Sequence, residues 1–314
     1  MKNEILNQYI INNLTPKKEH RKRIKKLYEE LKSYLGDDKC FQTGSYARFT
    51  AIRPVNDLDV FYIFRDGITT FGAIQELPKL AERLENEFSK RCSEHFDVEI
   101  QTHSIKLEFD DEFSIDVVPA VETDKKTEDF QTNIYIVPNE ETGEWISSDP
   151  KGYKELTKSV DEKSERNLRR AVRFVKSWKK GCKTCDKNFK LKSFHIEQIF
   201  IEAFQNNPDM ELYDAIRVFF EELPANLLRA RFIDRADDSL FIDQYVNELS
   251  TLERNKITNF AESQLNKIEE MESLTDENKI LELICEVIAC QENTSNNPST
   301  DGFTPSGQHV CIYE

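Results

Sequence analysis

Asp57 and Asp59 stand one residue apart at the head of an apolar run that continues to Phe64, and eleven residues separate Asp57 from a Gly44-Ser45 pair upstream. The run has the length and composition of a buried strand. Side chains alternate along a strand, so the two carboxylates share one face. Ionised groups leaving a buried strand together are costly without compensation, and a divalent cation between them is the simplest one. Hard oxygen ligands with few His or Cys nearby suit Mg2+, with Mn2+ as a substitute. Such an ion takes phosphate oxygens as its remaining ligands. Gly44 allows close backbone approach and Ser45 adds a hydroxyl donor, so the pair reads as a phosphate cradle.

A third carboxylate follows in a second apolar stretch. Ile105, Leu107 and Phe109, then Phe113, Ile115 and Val117, alternate around the acidic turn Asp110-Asp111-Glu112. If these form one buried face, Asp116 points the other way, beside Ser114 and Val118. A solvated residue on an edge strand would account for a single such Asp. Next to a strand carrying Asp57 and Asp59, a metal ligand is the stronger reading. Three carboxylates from two neighbouring strands can hold a pair of metal ions that activate an attacking hydroxyl and stabilise a leaving pyrophosphate.

The opposite charge is concentrated in one later segment. Residues 163–192 hold twelve Lys or Arg and two acids, in a chain whose formal net charge is −15. A long helix from Asp161 to Lys180 is predicted, with Arg166, Arg169, Arg173, Lys176 and Lys180 on one face and Leu168, Val172, Val175 and Trp178 on the other. A basic helix facing the carboxylates would bind the tail of a nucleoside triphosphate. Ser193 caps the next helix, and its hydroxyl could meet a phosphate there. His195, two residues on, reads as a buried, hydrogen-bonded histidine rather than a catalytic one.

These residues need two lobes to position them, and 314 residues suffice for both. Residues 1–150 read as a catalytic lobe: helices before and after Thr15-Pro16, the aspartate strands, and an amphipathic helix over 73–92 with Leu77, Leu80, Leu84 and Phe88 inward. The stretch 130–150 reads as a strand, a polar Glu-Glu-Thr-Gly turn and a connector. Residues 151–290 read as an α-helical bundle completing the nucleotide pocket, with further helices over 209–223, 250–271 and 275–289, and residues 291–314 as a polar, mobile tail. The acidity argues against a stable grip on long nucleic acid. The chain begins no signal peptide and has no membrane-length apolar run, which predicts a cytoplasmic protein with no membrane partner. Seven scattered cysteines read as free thiols, and the lone Cys182-x-x-Cys185 lacks two further ligands for zinc.

Gly44-Ser45, the spacer, Asp57-x-Asp59 and Asp116 together resemble the DNA polymerase β-type nucleotidyltransferase superfamily. Within it, GSYARFTAIRP, IDVVPA, WISSDP, RFVKSWKK and LKSFHIE are similar, in order, to the bacterial CD-NTases, the cyclic GMP-AMP synthase-like cyclic oligonucleotide synthetases. The resemblance implies an α+β fold: a polymerase β-like core of mixed sheet and helices plus a C-terminal helical bundle, bilobal with a central cleft. It implies a two-metal enzyme that condenses nucleoside triphosphates into a cyclic di- or trinucleotide second messenger for anti-phage signalling. Asp57, Asp59 and Asp116 would be its catalytic metal ligands. Gly44 and Ser45 would hold the triphosphate from one side, Lys176 and Ser193 from the other. It implies a regulatory protein partner and a downstream effector that binds the product. One position departs from the pattern: Phe49 precedes Thr50 where many relatives carry Gly. Two other readings compete, a nucleotidyltransferase that makes linear oligonucleotides or extends RNA, and a degenerate nucleotide-binding sensor. The presence of all three carboxylates counts against the second.

Overall fold

β-Branched and aromatic residues dominate the segments that become strands, and their alternation decides which face is buried. The computed structural model describes residues 1–64, 68–101, 104–138 and 144–289. Seven strands form one mixed sheet: β1 (Cys40–Gln42), β2 (Asp57–Ile63), β3 (Phe96–Ile100), β4 (Ile105–Phe109), β5 (Ser114–Lys126), β6 (Asn133–Pro138) and β7 (Trp145–Ser148). The order is β1-β2-β5-β4-β3, with β6 pairing the far part of β5 and β7 pairing β6. Among the described residues only β2 and β5 run parallel. Two helices cover one face of the sheet, α2 (Lys18–Leu35) and α4 (Thr70–Arg83), the latter running on through a π-helical turn to Phe88. Leu27 and Leu31 from α2 and Leu77, Leu80, Leu84 and Phe88 from α4 meet Leu58, Val60, Leu107 and Ile115 there. The opposite face carries Asp59 and Asp116 near the start of β2 and β5, and beyond them a smaller apolar cluster of Phe61, Ala120, Tyr135 and Val137.

The second core is helical. It is built from α6 (Asn167–Cys185), α7 (Ser193–Asn206), α8 (Leu212–Asn226), α10 (Thr251–Ser273) and α11 (Glu277–Ala289), with α5 (Pro150–Lys163) and the short α9 (Tyr245–Glu248) at its margin. Trp178 is its largest buried side chain, edge-on to Phe189, Phe219 and Phe220. The first helix, α1 (Lys2–Tyr9), continues through a π-helical turn to Leu14 and puts Leu6, Ile10 and Leu14 into this helical core, although the sequence groups it with the catalytic half. Amphipathic spacing shows that a face is apolar and leaves its partner unspecified. Among the described residues no helix is long and apolar enough to cross a membrane.

Several local expectations change. The single helix predicted from Asp161 is two helices, because Glu165 and Arg166 adopt left-handed backbone at φ 51° and 68°. Arg166 is therefore the N-cap of α6 and leaves the basic face. Pro150 starts α5 with Asp149 as its cap, accepting from the Gly152 N–H at 2.8 Å. Trp145–Ser148, read as a connector, is a strand paired to β6. The helix expected after Thr15-Pro16 starts at Lys18 with Lys17 as its N-cap, and the Thr15 hydroxyl donates back to the Ile10 carbonyl at 3.0 Å. The turns expected at Arg65–Gly67 and Glu140–Gly143, and the tail at 291–314, lie outside the described residues.

Candidate active site

Strand register does the first part of the assembly. In the parallel β2–β5 pair Asp59 lies directly across from Asp116, and Asp57 across from Ser114. Asp57 is exposed, and Asp59 and Asp116 are half-buried. Asp116 is also flanked on β4 by Lys106. As the side chains stand, no group of three or more His, Cys, Asp or Glu among the described residues is close enough to hold a metal ion. The register thus aligns the carboxylates along one sheet edge without drawing them into a closed cage.

The Gly44-Ser45 loop is folded onto this edge. Thr43 donates its N–H to the Asp59 carbonyl at 2.9 Å, and α3 (Gly44–Ala47) starts immediately after it. Gly44 has φ +67°, and a Cβ there would lie 1.8 Å from Asp59 Oδ2. Only glycine lets the loop approach this carboxylate. An all-carboxylate donor set with a side-chain-free backbone beside it fits a hard divalent cation and a phosphate.

A cavity of about 430 Å³ opens at this edge, walled by Gly44, Ser45, Asp57 and Asp59 on the sheet side and by Lys176, Lys179 and Ser193 on the helical side. Asp116 is not part of its wall. The cavity brings together six of the seven residues proposed from sequence. Lys176 does not reach in as a free cation. Its Nζ is 2.5 Å from Glu197 Oε1 and 3.1 Å from Thr50 Oγ1, and the Lys176 and Glu197 side chains are only 6% and 2% exposed. Arg48 Nε adds a second ion pair to Glu197 at 2.6 Å. Burial pushes the Glu197 carboxyl up, but Arg48 and Lys176 outweigh it and hold it at about 2. Burial also pulls the Lys176 ammonium below its ordinary value, opposed by Glu197.

Two of the helix arginines serve another purpose. Arg169 Nε donates to the Arg48 carbonyl at 2.9 Å, and Arg173 donates to the carbonyls of Phe49 and Ala51 at 2.6 and 3.2 Å. They clasp the loop that follows Ser45 and fasten one lobe to the other. Phe49 in that loop has φ 60°, the left-handed conformation that explains why a glycine suits this position. Its half-exposed ring lies under the Arg169 guanidinium at 5.0 Å.

Other expectations resolve simply. His195 is buried, with Nδ1 2.9 Å from the Tyr245 hydroxyl, and burial pushes its pKa down to about 4. Cys182 is buried and Cys185 exposed.

A family model for the Second Messenger Oligonucleotide or Dinucleotide Synthetase (SMODS) domain matches residues 2–161, just over half of the chain. The chain belongs to this family. It is a nucleotidyltransferase of the bacterial CD-NTase group. The cyclic AMP-AMP-AMP synthase of Escherichia coli (strain MS 115-1) is 27% identical over 221 residues, which cover 68% of this chain and 67% of that relative. Two structures of E. coli MS115-1 CdnC, one in complex with HORMA-deltaN and one with ATP, match with a TM-score of 0.71. Their identities are 20% and 19%, covering 91% and 93% of this chain and 96% and 98% of theirs, a likeness of fold. The SMODS match contains the whole carboxylate wall and ends before the basic helix. In this SMODS protein the cavity residues that sequence reasoning missed are Lys179 and Glu197 on the helical side and Arg48 in the loop after Ser45. Lys179 was signalled by its spacing, three residues on from Lys176. Glu197 was signalled as a carboxylate in an otherwise apolar helix, four residues on from Ser193.

Proposed function

We propose that the chain condenses nucleoside triphosphates into a cyclic di- or trinucleotide, with release of pyrophosphate, as a second messenger in bacterial anti-phage signalling. The observation that carries the reading is the Asp59–Asp116 register beneath a glycine loop, across a cavity from Lys176, Lys179 and Ser193. Asp57, Asp59 and Asp116 would hold Mg2+, which supplies charge neutralisation and acidifies a bound hydroxyl. The chain's own part is positioning. Gly44 and Ser45 set the depth of the triphosphate against β2, while Lys179 and the Ser193 hydroxyl meet its β- and γ-phosphates, with Lys176 held behind them by Glu197. A ribose hydroxyl oxygen then bonds to the α-phosphorus as the bond to the bridging oxygen breaks. Pyrophosphate leaves with its electron pair, and the hydroxyl proton passes to solvent. A second such step within the linear product closes the ring.

One similar protein is named a cyclic AMP-AMP-AMP synthase, so ATP is the first substrate to try. Because the E. coli CdnC structure contains HORMA-deltaN, a regulatory partner of that kind is the one to test for this chain. Labelled triphosphates with Mg2+, followed by phosphatase and mass spectrometry, test the product: a phosphatase-resistant cyclic species is expected. A ladder of phosphatase-sensitive linear products alone would instead place the chain with linear oligonucleotide synthetases. Asp57→Asn with Asp59→Asn is expected to reduce product by at least about a thousandfold. Normal turnover in that variant would overturn the metal assignment.

A further inference from the structure

A second cavity, of about 550 Å³, lies against the helical wall and shares Lys179, Lys183 and Ser193 with the nucleotide cavity. Its remaining charged lining is Lys190, Lys192 and Glu248, so four lysines face one acid in a protein of net charge −15. Such a positive pocket attracts small anions strongly relative to the rest of the surface. Phe189, Leu191 and Leu249 line the rest of it, which lowers the effective dielectric and strengthens each charge contact. The lysines are held loosely enough to be reassigned. Lys179 Nζ donates to the Ser193 hydroxyl at 2.5 Å, Lys192 Nζ sits over the Tyr245 ring at 5.1 Å, and Lys190 pairs with the partly exposed Glu253 at 2.8 Å. The Lys179–Ser193 bond is thus a shared wall between the two cavities.

We infer that this second cavity is an oligophosphate subsite, which receives pyrophosphate from the nucleotide cavity through the Lys179–Ser193 wall. Lysines act as point-charge phosphate binders, and the cavity is roomy enough for an oligophosphate. Burial pushes the Lys179 ammonium down to about 7, and an arriving oligophosphate stabilises its charged form. The proposal rests on the synthetase reading for the source of its ligand. The same phosphate chemistry is carried by the 5′-triphosphate of a linear intermediate.

The test is calorimetric titration of inorganic pyrophosphate into the full chain without nucleotide or divalent metal, compared with Lys190→Gln/Lys192→Gln. Both substituted residues line the second cavity and not the first. The variant is expected to bind pyrophosphate roughly tenfold more weakly at unchanged melting temperature. Asp57→Asn/Asp59→Asn is expected to bind it as the unmodified chain does. Equal affinity in the lysine variant, or no binding by the unmodified chain, overturns the proposal. Should the double variant not fold, Lys192→Gln alone carries the same comparison with a smaller loss. A parallel titration with a linear 5′-triphosphorylated dinucleotide separates the sources. Weakening confined to pyrophosphate assigns the released product, and weakening of both assigns the intermediate's tail as well. Binding is read without turnover, so a failure of the synthetase reading would leave this result standing, and the converse also holds.

Discussion

On the sheet side of the nucleotide cavity the acids are open: Asp57 is exposed, and Asp59 is half-buried against a glycine. On the helical side the acid is closed. Glu197 is 2% exposed and carries Lys176, Arg48 and the Thr50 hydroxyl. The same functional group therefore has two jobs a few residues apart in space. On the proposed reading the sheet acids face a ligand, whereas the helical lobe neutralises its own acid and uses the resulting ion pairs to hold the lobes together. A charged side chain at a cavity wall is thus not in itself a ligand-binding one, and burial and partners separate the two cases.

Substitution at the two acids is the most severe test of that contrast. Glu197→Gln leaves Lys176 and Arg48 without their counter-charge in a buried place, and it is expected to cost about 3–5 kcal/mol. Thermal unfolding should register this as a drop on the order of 10 °C. The Asp57→Asn/Asp59→Asn chain should melt within about 2 °C of the unmodified one while losing product, because Asp57 is exposed, Asp59 is half-buried and the amides keep the carboxylate shape. If instead the aspartate variant were the unstable one, the division of roles would be reversed.

A smaller effect comes from pH. With its ammonium near 7, Lys179 is charged below that value and neutral above it. It is surrounded by Lys176 and Lys183 from its own helix, Glu197 from α7, and Lys190 and Lys192 across the second cavity. Affinity for nucleoside triphosphate should therefore fall between pH 6 and pH 8, by up to about tenfold. Taking the ratio to Lys179→Met at each pH removes the titration of the phosphates themselves. A ratio that stays constant over this range would remove Lys179 from the binding wall.

The smallest difference concerns the clasp. Phe49 pays about 1 kcal/mol for left-handed backbone and recovers about 0.5–1 kcal/mol from the Arg169 stack. Phe49→Ala keeps the strain and loses the stack, so it should destabilise by about 0.5–1 kcal/mol in denaturant unfolding. Phe49→Gly loses both and should come out near neutral. Equal losses in the two variants would show that the ring, not the backbone conformation, governs this loop.

Much of the sheet wall was legible because its information is local. A carboxylate pair one residue apart, a glycine at a fixed distance upstream and an acid in an apolar strand are all visible along the chain. The helical wall was legible only as a charge excess. Of the face read from Arg166 to Lys180, Arg166 left the helix, Arg169 and Arg173 went to loop carbonyls, and Lys176 went to Glu197. Periodicity fixes which residues share a face. It carries no account of what the neighbouring lobe presents to that face.

The sequence by itself located the paired carboxylates, the glycine loop upstream of them and the motifs that carry the family likeness, because spacing, alternation and composition are properties of the chain. Tertiary structure alone decided that Asp59 stands opposite Asp116 rather than one residue away, since register depends on how two distant strands pair. It also decided which cations pair with protein groups, and that a second lysine-lined cavity adjoins the first. Those are contacts between segments far apart in the chain, and their energies depend on burial that no single segment specifies.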